Sequence, residues 1–311
     1  MATQTYKIHC LSEALSPITH MSRTEGNEAL INREEIHTPN GRRFMPFLTG
    51  NALRHRMVRD PGARFLLRRW ELEGKLNMRA LNFLFHGGTL TEGSGREDTA
   101  GVADLYRLFP LYRLLGGSLP GQIVPGSLIA EQGVVICREN LPRLRGCCPF
   151  DLPGNLRSAE EFVGGWQYTR SDVRISSPDL ASRDAEGDKL QLMPFTGQSI
   201  IPGAMIWHGF IAQHAGELEM GALLLSIALW LDQGATIGGS SARGHGRLAT
   251  SIHLEPEVDV TALMQAYIAH VDAVREEAIA WLNAAFEAKS AKKSKKGGKS
   301  DATPESNSSL G

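Results

Sequence analysis

Two short segments at opposite ends of the chain gather the side chains best suited to holding a phosphodiester. In LTGNALRHRMVRD, Thr49, Gly50 and Asn51 supply turn and N-cap chemistry, and Ala52, Leu53, Met57 and Val58 recur at helical spacing. A helix is therefore expected to start near Asn51. Its early turns carry Arg54, His55, Arg56 and Arg59, which sets three fixed positive charges beside the free N–H groups of a helix start. That is a phosphate-binding arrangement. In IGGSSARGHGRL, Gly238, Gly239, Gly244 and Gly246 permit close backbone approach, and Ser240, Ser241, Arg243, His245 and Arg247 supply donors. Such a loop serves either as a cradle for a nucleic-acid backbone or simply as a tight turn.

The loop is not a nucleotide-hydrolase phosphate loop. His245 stands where the lysine would be and Gly246 where the Ser/Thr would be, and the segment leads from an expected helix into an expected strand, the reverse of what that loop needs. Metal chemistry has little to work with. Cys10, Cys137, Cys147 and Cys148 contain no CxxC spacing and no paired Cys/His pattern, so reduced thiols, no metal and no cofactor are expected.

Charge points the same way as the motifs. The 311 residues hold 33 Lys+Arg against 34 Asp+Glu, but residues 289–311 take six of the lysines and only two of the acids. The remaining body is mildly acidic, and its basic residues are 24 Arg and three Lys (Lys7, Lys75 and Lys189). Arginine suits bidentate phosphate contacts and base stacking, although a GC-rich genome gives the same bias. From Arg42 to Arg79 nine Arg and one Lys face only Asp60, Glu71 and Glu73, a plausible polyanion-binding patch. The longest uncharged apolar run, Met220 to Leu231, is 12 residues, short of the roughly 20 a membrane helix requires. With MATQTYKIHC lacking a basic region followed by an apolar one, a cytoplasmic protein without a membrane partner is expected.

The elements that must position these residues read as α+β. Tyr6, Ile8 and Cys10 alternate with Lys7 and His9, as in a half-buried strand. Residues 19–42 are polar and turn-rich and read as a long loop. Residues 77–118 read as helical pieces broken by the FHGG and LLGG glycines, and residues 122–137 as strands. Residues 138–165 read as an irregular connection. Residues 166–199 read as a protruding, hairpin-like insertion in which Tyr168, Arg170 and Arg174 suit nucleic-acid contact by stacking and charge, the alternative being a mobile surface loop. IPGAMIWHGFIA reads as a strand, residues 217–233 as a buried helix and RLATSIHL as a strand. From Val260 to Trp281 apolar residues recur at intervals of four and three, giving an amphipathic helix over about 257–288 that packs on the protein's own core. Residues 289–311 are expected to be disordered.

Taken together, LTGNALRHRMVRD and IGGSSARGHGRL resemble the two sequence hallmarks of the RAMP superfamily of CRISPR proteins. The length, the single copy of each hallmark, the FHGG and LLGG segments and the central insertion most resemble its Cas-seven-like backbone subunit in type IV effectors, over about residues 3–255. The resemblance implies a ferredoxin-like, RRM-type antiparallel sheet core within residues 1–288, with helical (palm) and hairpin (thumb) insertions, the thumb being residues 166–199. It implies several copies arranged head to tail along one CRISPR RNA, with other effector subunits as partners and a complementary target strand, DNA more than RNA, opposite the guide. Carried over by position, Asn51, Arg54, His55, Arg56 and Arg59, together with Ser240, Ser241, Arg243, His245 and Arg247, grip RNA phosphates and sugars. Tyr168, Arg170 and Arg174 belong to the thumb, and His20 and Arg23 to the segment leading to the helix.

Type III relatives cut target RNA with a loop aspartate ahead of the first helix. Residues 19–50 here contain no Asp, only Glu25, Glu28, Glu34 and Glu35, so no cleavage and no enzymatic activity are expected. The rival readings are a RAMP endoribonuclease using His20, His55 or His245 as acid and base, and a protein scaffold that carries no RNA.

Overall fold

The computed structural model describes residues 3–90, 98–154, 156–171 and 192–287. The alternation at the N-terminus forms β1 (Gln4–Ala14), with Tyr6, Ile8, Cys10, Ser12 and Ala14 all buried on one face. Antiparallel neighbours flank it on both sides, β12 (Met205–Ala215) and β13 (Leu248–Glu255). β9 (Gly133–Val135) pairs with β12, giving the order β13-β1-β12-β9. The helices between these strands are a long first one, built as α1 (Gly50–Leu53), a π-helical turn over Arg54–Arg59 and α2 (Asp60–Arg69), and α7 (Glu217–Asp232). Strand, helix, two strands, helix, strand in an antiparallel 4-1-3-2 order is the ferredoxin-like, RRM-type core. The expected α+β class is therefore the observed one.

Three excursions leave this core. Between β1 and α1 run β2 (Met21–Glu25), β3 (Glu28–Ile31), β4 (Arg33–Thr38) and β5 (Gly41–Leu48), two successive hairpins. The long loop expected over residues 19–42 is thus corrected to strands. Every residue of β2 is exposed and β4 alternates only between exposed and half-buried, so neither carries the apolar alternation that marks a strand. The second excursion comprises α3 (Met78–His86), α4 (Thr99–Leu108), α5 (Pro110–Leu115) and the small hairpin of β6 (Gly117–Leu119) and β7 (Gln122–Val124), after which β8 (Leu128–Ala130) returns to pair with β12. The third, after β9, passes through the short α6 (Leu141–Leu144) into the long hairpin β10 (Val163–Ser171) and β11 (Leu192–Ile200). This hairpin forms a second sheet, β10-β11-β3-β2, with β11 parallel to β3.

The main sheet is packed against helices on one face and partly covered on the other, where Lys7 and Glu13 of β1 and Ala249, Ser251 and His253 of β13 stay exposed. Toward the helices, Ile8, Cys10 and Phe210 pack with Leu53, Met57, Leu66, Met220, Leu223 and Ile227. On the opposite face Val134, Ile136 and Trp207 meet Leu144, Phe150, Leu152 and Leu156 of the connection after β9, as a small separate core. The C-terminal helix packs on the protein's own core but is interrupted, as α8 (Val260–Ala273) and α9 (Arg275–Phe286). The Trp70 indole N–H donates to the Val271 carbonyl at 3.0 Å, occupying the acceptor that the Arg275 N–H would use in a continuous helix. The Lys-rich tail and Arg174 lie outside the described residues. Among the described residues, no helix is long and apolar enough to cross a membrane.

His208 sits fully buried in β12, its Nε2 hydrogen-bonded to Ser12 Oγ at 2.8 Å, and Ser12 in turn bonds Thr250 Oγ1 at 2.8 Å, stitching three adjacent strands. Burial pushes its pKa down to about 4. The unfolded chain thus binds this proton first as pH falls from about 6.5, so the stability contributed by neutral His208 is complete above that pH and lost toward pH 4. The unfolding free energy should drop by about 2 kcal/mol from this group between pH 7 and pH 5. In urea titrations His208→Gln should show a correspondingly flatter pH dependence, and an unchanged one would refute the assignment.

Candidate nucleic-acid interface

A strap of backbone, Leu15–His20, organises the region where the sequence motifs meet. On one side it bonds the glycine-rich loop: the Gly239 and Gly246 N–H groups donate to the Thr19 and Pro17 carbonyls at 2.7 and 2.8 Å, and the Leu15 N–H to the Arg247 carbonyl at 2.9 Å. On the other side Ile18 exchanges both backbone hydrogen bonds with Ile200, at the base of the long hairpin. Two glycines make this closeness possible. A Cβ on Gly238 would lie 2.4 Å from the Thr19 carbonyl oxygen, one on Gly246 would lie 2.0 Å from that of Ile237, and both residues have positive φ. The loop is therefore a close-packed turn whose backbone is largely spent inward. Its side chains point elsewhere, with Ser241, Arg243 and Arg247 exposed and Ser240 half-buried in a left-handed conformation. His245 is held by Nδ1 to Thr19 Oγ1 at 2.7 Å.

The same strap sets the first helix. Thr49 is its N-cap, the hydroxyl accepting from the Ala52 N–H, while the Thr49 N–H donates to His20 Nε2 at 3.1 Å. His20 must keep Nε2 unprotonated to accept this bond, and burial holds its pKa below the usual histidine value. It acts as an anchor for the helix start. Around that start Asn51 is exposed, Arg54 is half-buried with its guanidinium donating to Asn51 Oδ1 at 3.3 Å, and His55 stacks on His86 with ring centroids 5.8 Å apart. Burial also lowers the His55 pKa. Arg56 turns toward the glycine-rich loop and donates to Thr236 Oγ1 at 3.0 Å.

Arg59 corrects the sequence reading. Only 6% exposed, it donates to the carbonyls of Phe83, Leu115 and Gly116 at 3.3, 3.4 and 3.0 Å and stacks 5.7 Å from the centroid of the Tyr112 ring. The π-helical turn contributes to this, since the widened turn rotates Arg59 into the protein while leaving Arg54 and Arg56 nearer the surface. The FHGG and LLGG segments explain themselves here, as the ends of α3 and α5 converge on one guanidinium: the Phe83 carbonyl accepts from it as well as from the Gly87 N–H, and the Leu115 and Gly116 carbonyls accept from it at the end of α5. Arg59 is a structural clamp between the core and its helical excursion. A phosphate on the surface does not reach it.

The base of the long hairpin supplies an aromatic ladder. Trp166, Tyr168 and Phe195 stack in succession, at centroid separations of 5.3 Å for each pair. The Arg243 guanidinium lies over the middle ring, 3.8 Å from the Tyr168 centroid, and His245 makes an edge-on contact with Trp166 at a centroid separation of 6.2 Å. Tyr168 is thereby brought together with Arg243 and His245 of the distant glycine-rich loop. Arg170 continues β10 opposite Met193, whereas Arg23 lies on the outermost strand of that sheet, paired with Glu25 at 2.7 Å. Four contributors escaped the sequence reading: Thr19, Trp166, Phe195 and His86. The alternation of Trp166 and Tyr168 with Gln167 was a legible signal for the aromatic face. No local pattern marks Thr19 or His86.

Among the described residues, no group of three or more His, Cys, Asp or Glu side chains is placed to hold a metal ion. No family model matches the sequence, and no curated protein does. The fold is similar to that of a chain in a solved structure described as a Type IV-B CRISPR complex, with a TM-score of 0.54 and 16% identity, covering 83% of this chain and 98% of that one.

The contrast between buried and surface arginines is testable by stability alone. Arg59→Ala removes a desolvated cation and strands buried carbonyls, and should cost about 3 kcal/mol. Arg54→Ala should change stability by less than about 0.5 kcal/mol. Equal effects in chemical denaturation would contradict the inward assignment of Arg59.

Proposed function

We propose that this chain is a guide-RNA-binding backbone subunit of a type IV CRISPR ribonucleoprotein. In this reading several copies lie head to tail along one CRISPR RNA, alongside other effector subunits, and present the guide to a complementary strand, DNA more than RNA. The observation that carries the proposal is the convergence of three elements on one strap: the start of the first helix with Asn51 and Arg54, the exposed Ser241, Arg243 and Arg247 of the glycine-rich loop, and the aromatic ladder at the hairpin base. Cations and backbone turns suit phosphates, and stacked rings suit unpaired bases. The fold shared with a chain of a Type IV-B CRISPR complex supports the same reading.

The role proposed is binding without cleavage. Of the three histidines that a nuclease reading would recruit, His20 is committed to the helix start and His245 to Thr19, while His55 is stacked on His86. Of the glutamates ahead of the helix, Glu25, Glu34 and Glu35 form ion pairs with Arg23, Arg143 and Arg42. These engaged groups favour a scaffold for RNA over an acid–base centre. His20 then contributes by placing the helix and Arg59 by holding the fold, so neither touches RNA directly.

Co-expression with its CRISPR array and neighbouring subunits should yield a complex that carries discrete guide RNAs. In single-strand binding titrations Arg54→Ala with Arg243→Ala should lower the slope of log affinity against log salt by about 1.4, the value for two lost phosphate contacts. Recovery of the protein free of RNA, or an unchanged slope, would overturn the proposal.

A further inference from the structure

Three arginines of the Arg42–Arg79 basic cluster take no part in the site described above, or only a marginal one, yet they share a groove. Arg56, Asp60, Arg64 and Arg68 stand four residues apart on the first helix and span ~18 Å of its length. They face the C-terminal end of α7, and between the two helices lies a groove whose contiguous parts enclose about 320 and 310 Å³. Its near end adjoins the glycine-rich loop. Thr236, which forms part of the wall, pairs through its backbone with Arg247, and its carbonyl is held by the Trp230 indole N–H at 2.9 Å.

The groove is basic and incompletely satisfied. Asp60 is the one acid among the residues lining it, and it is bound to Arg64 at 3.0 Å. Arg68 is 67% exposed, and among the described residues its one ion-pair partner is Glu73 at 3.8 Å. Arg56 keeps one bond, to Thr236, while its buried Nε finds no hydrogen-bond partner among the described residues. Gln233, exposed at the end of α7, adds an amide to the opposite wall. Arg69, by contrast, is closed off by a two-pronged bond to Asp272 at 2.7 and 2.6 Å. The available cations therefore form a row leading away from the loop, not a diffuse patch.

We propose that this groove carries a single-stranded RNA onward from the glycine-rich loop, with Arg56, Arg64 and Arg68 binding phosphates along the strand and Gln233 the sugar-phosphate edge. The inference rests on the RNA-binding reading of the loop. It adds a second binding segment, blind to base identity, that fixes the direction in which the strand leaves the loop. A row of guanidiniums along one helix face fits a linear polyanion better than a compact one, because the charges are spread along a line.

The test uses the full chain and two oligouridylate probes, one long enough to cover only the loop and one long enough to run on through the groove. The wild type should bind the longer probe more tightly. Arg64→Gln with Arg68→Gln should remove that gain, weakening the longer probe about tenfold and lowering its salt slope by about 1.4, while the shorter probe is bound as before. Gln233→Glu, which leaves every arginine in place, should also weaken the longer probe alone, and Arg64→Lys with Arg68→Lys should restore the slope. Equal affinity of the wild type for the two probes, or an unchanged longer-probe slope in the Gln variants, overturns the groove and leaves the loop reading intact. Normal RNA binding with lost self-association in those variants overturns it in favour of an acidic segment of a second copy as occupant. Failure of the wild type to bind either probe overturns both readings.

Discussion

Everything at the candidate interface depends on a few backbone hydrogen bonds made by one strap, Leu15–His20. Its carbonyls receive the N–H groups of the glycine-rich loop, Ile18 pairs with the foot of the long hairpin, and His20 receives the N–H of the first helix's N-cap residue. Three segments from distant parts of the chain are thus fixed against a common reference. Backbone bonding of this kind tolerates no side chain between the partners, which is why Gly238 and Gly246 stand where they do. The loop's glycines are consumed in building the site, and its serines and arginines are what the site offers outward.

A second constraint acts on the far side of the first helix. Arg59 is a cation taken out of water, an arrangement that survives only when its donors are met, and the ends of α3 and α5 meet them, through the Phe83 carbonyl that Gly87 also bonds and through the Leu115 and Gly116 carbonyls. The helical excursion is thereby tied to the same helix whose beginning carries Arg54. Residues five positions apart serve opposite ends, one the surface and one the interior, with the π-helical turn between them setting the difference. A motif rich in arginine is a mixture of roles that only the local helix geometry separates.

Legibility in the sequence followed the physics of burial. β1 and the helix start at Asn51 were visible through apolar alternation and a capping residue, β12 and α7 through nearly continuous apolar runs that are buried on more than one side. The hairpins between residues 21 and 48 were not, since strands whose side chains mostly face solvent carry little alternation to detect. The break at Val274 was invisible because it depends on a tryptophan some two hundred residues away. Of the site, the basic residues and Tyr168 were legible by type. The inward turn of Arg59, the anchoring role of His20 and the contribution of Thr19 were not, because each is decided by tertiary hydrogen bonds between remote segments.

The covering of the sheet's outer face has its own consequence. Domains built on this core often leave that face open so that bases can lie flat on its aromatic residues and be told apart. Here Trp207 is paved over by Leu144, Phe150 and their neighbours. Trp207 is thereby closed to a flat-lying base, whereas the outward positions Ala249, Ser251 and His253 of β13 stay exposed. Under the function proposed above, a strand would be held chiefly by its constant sugar-phosphate part, and one gene product would serve guides of any sequence.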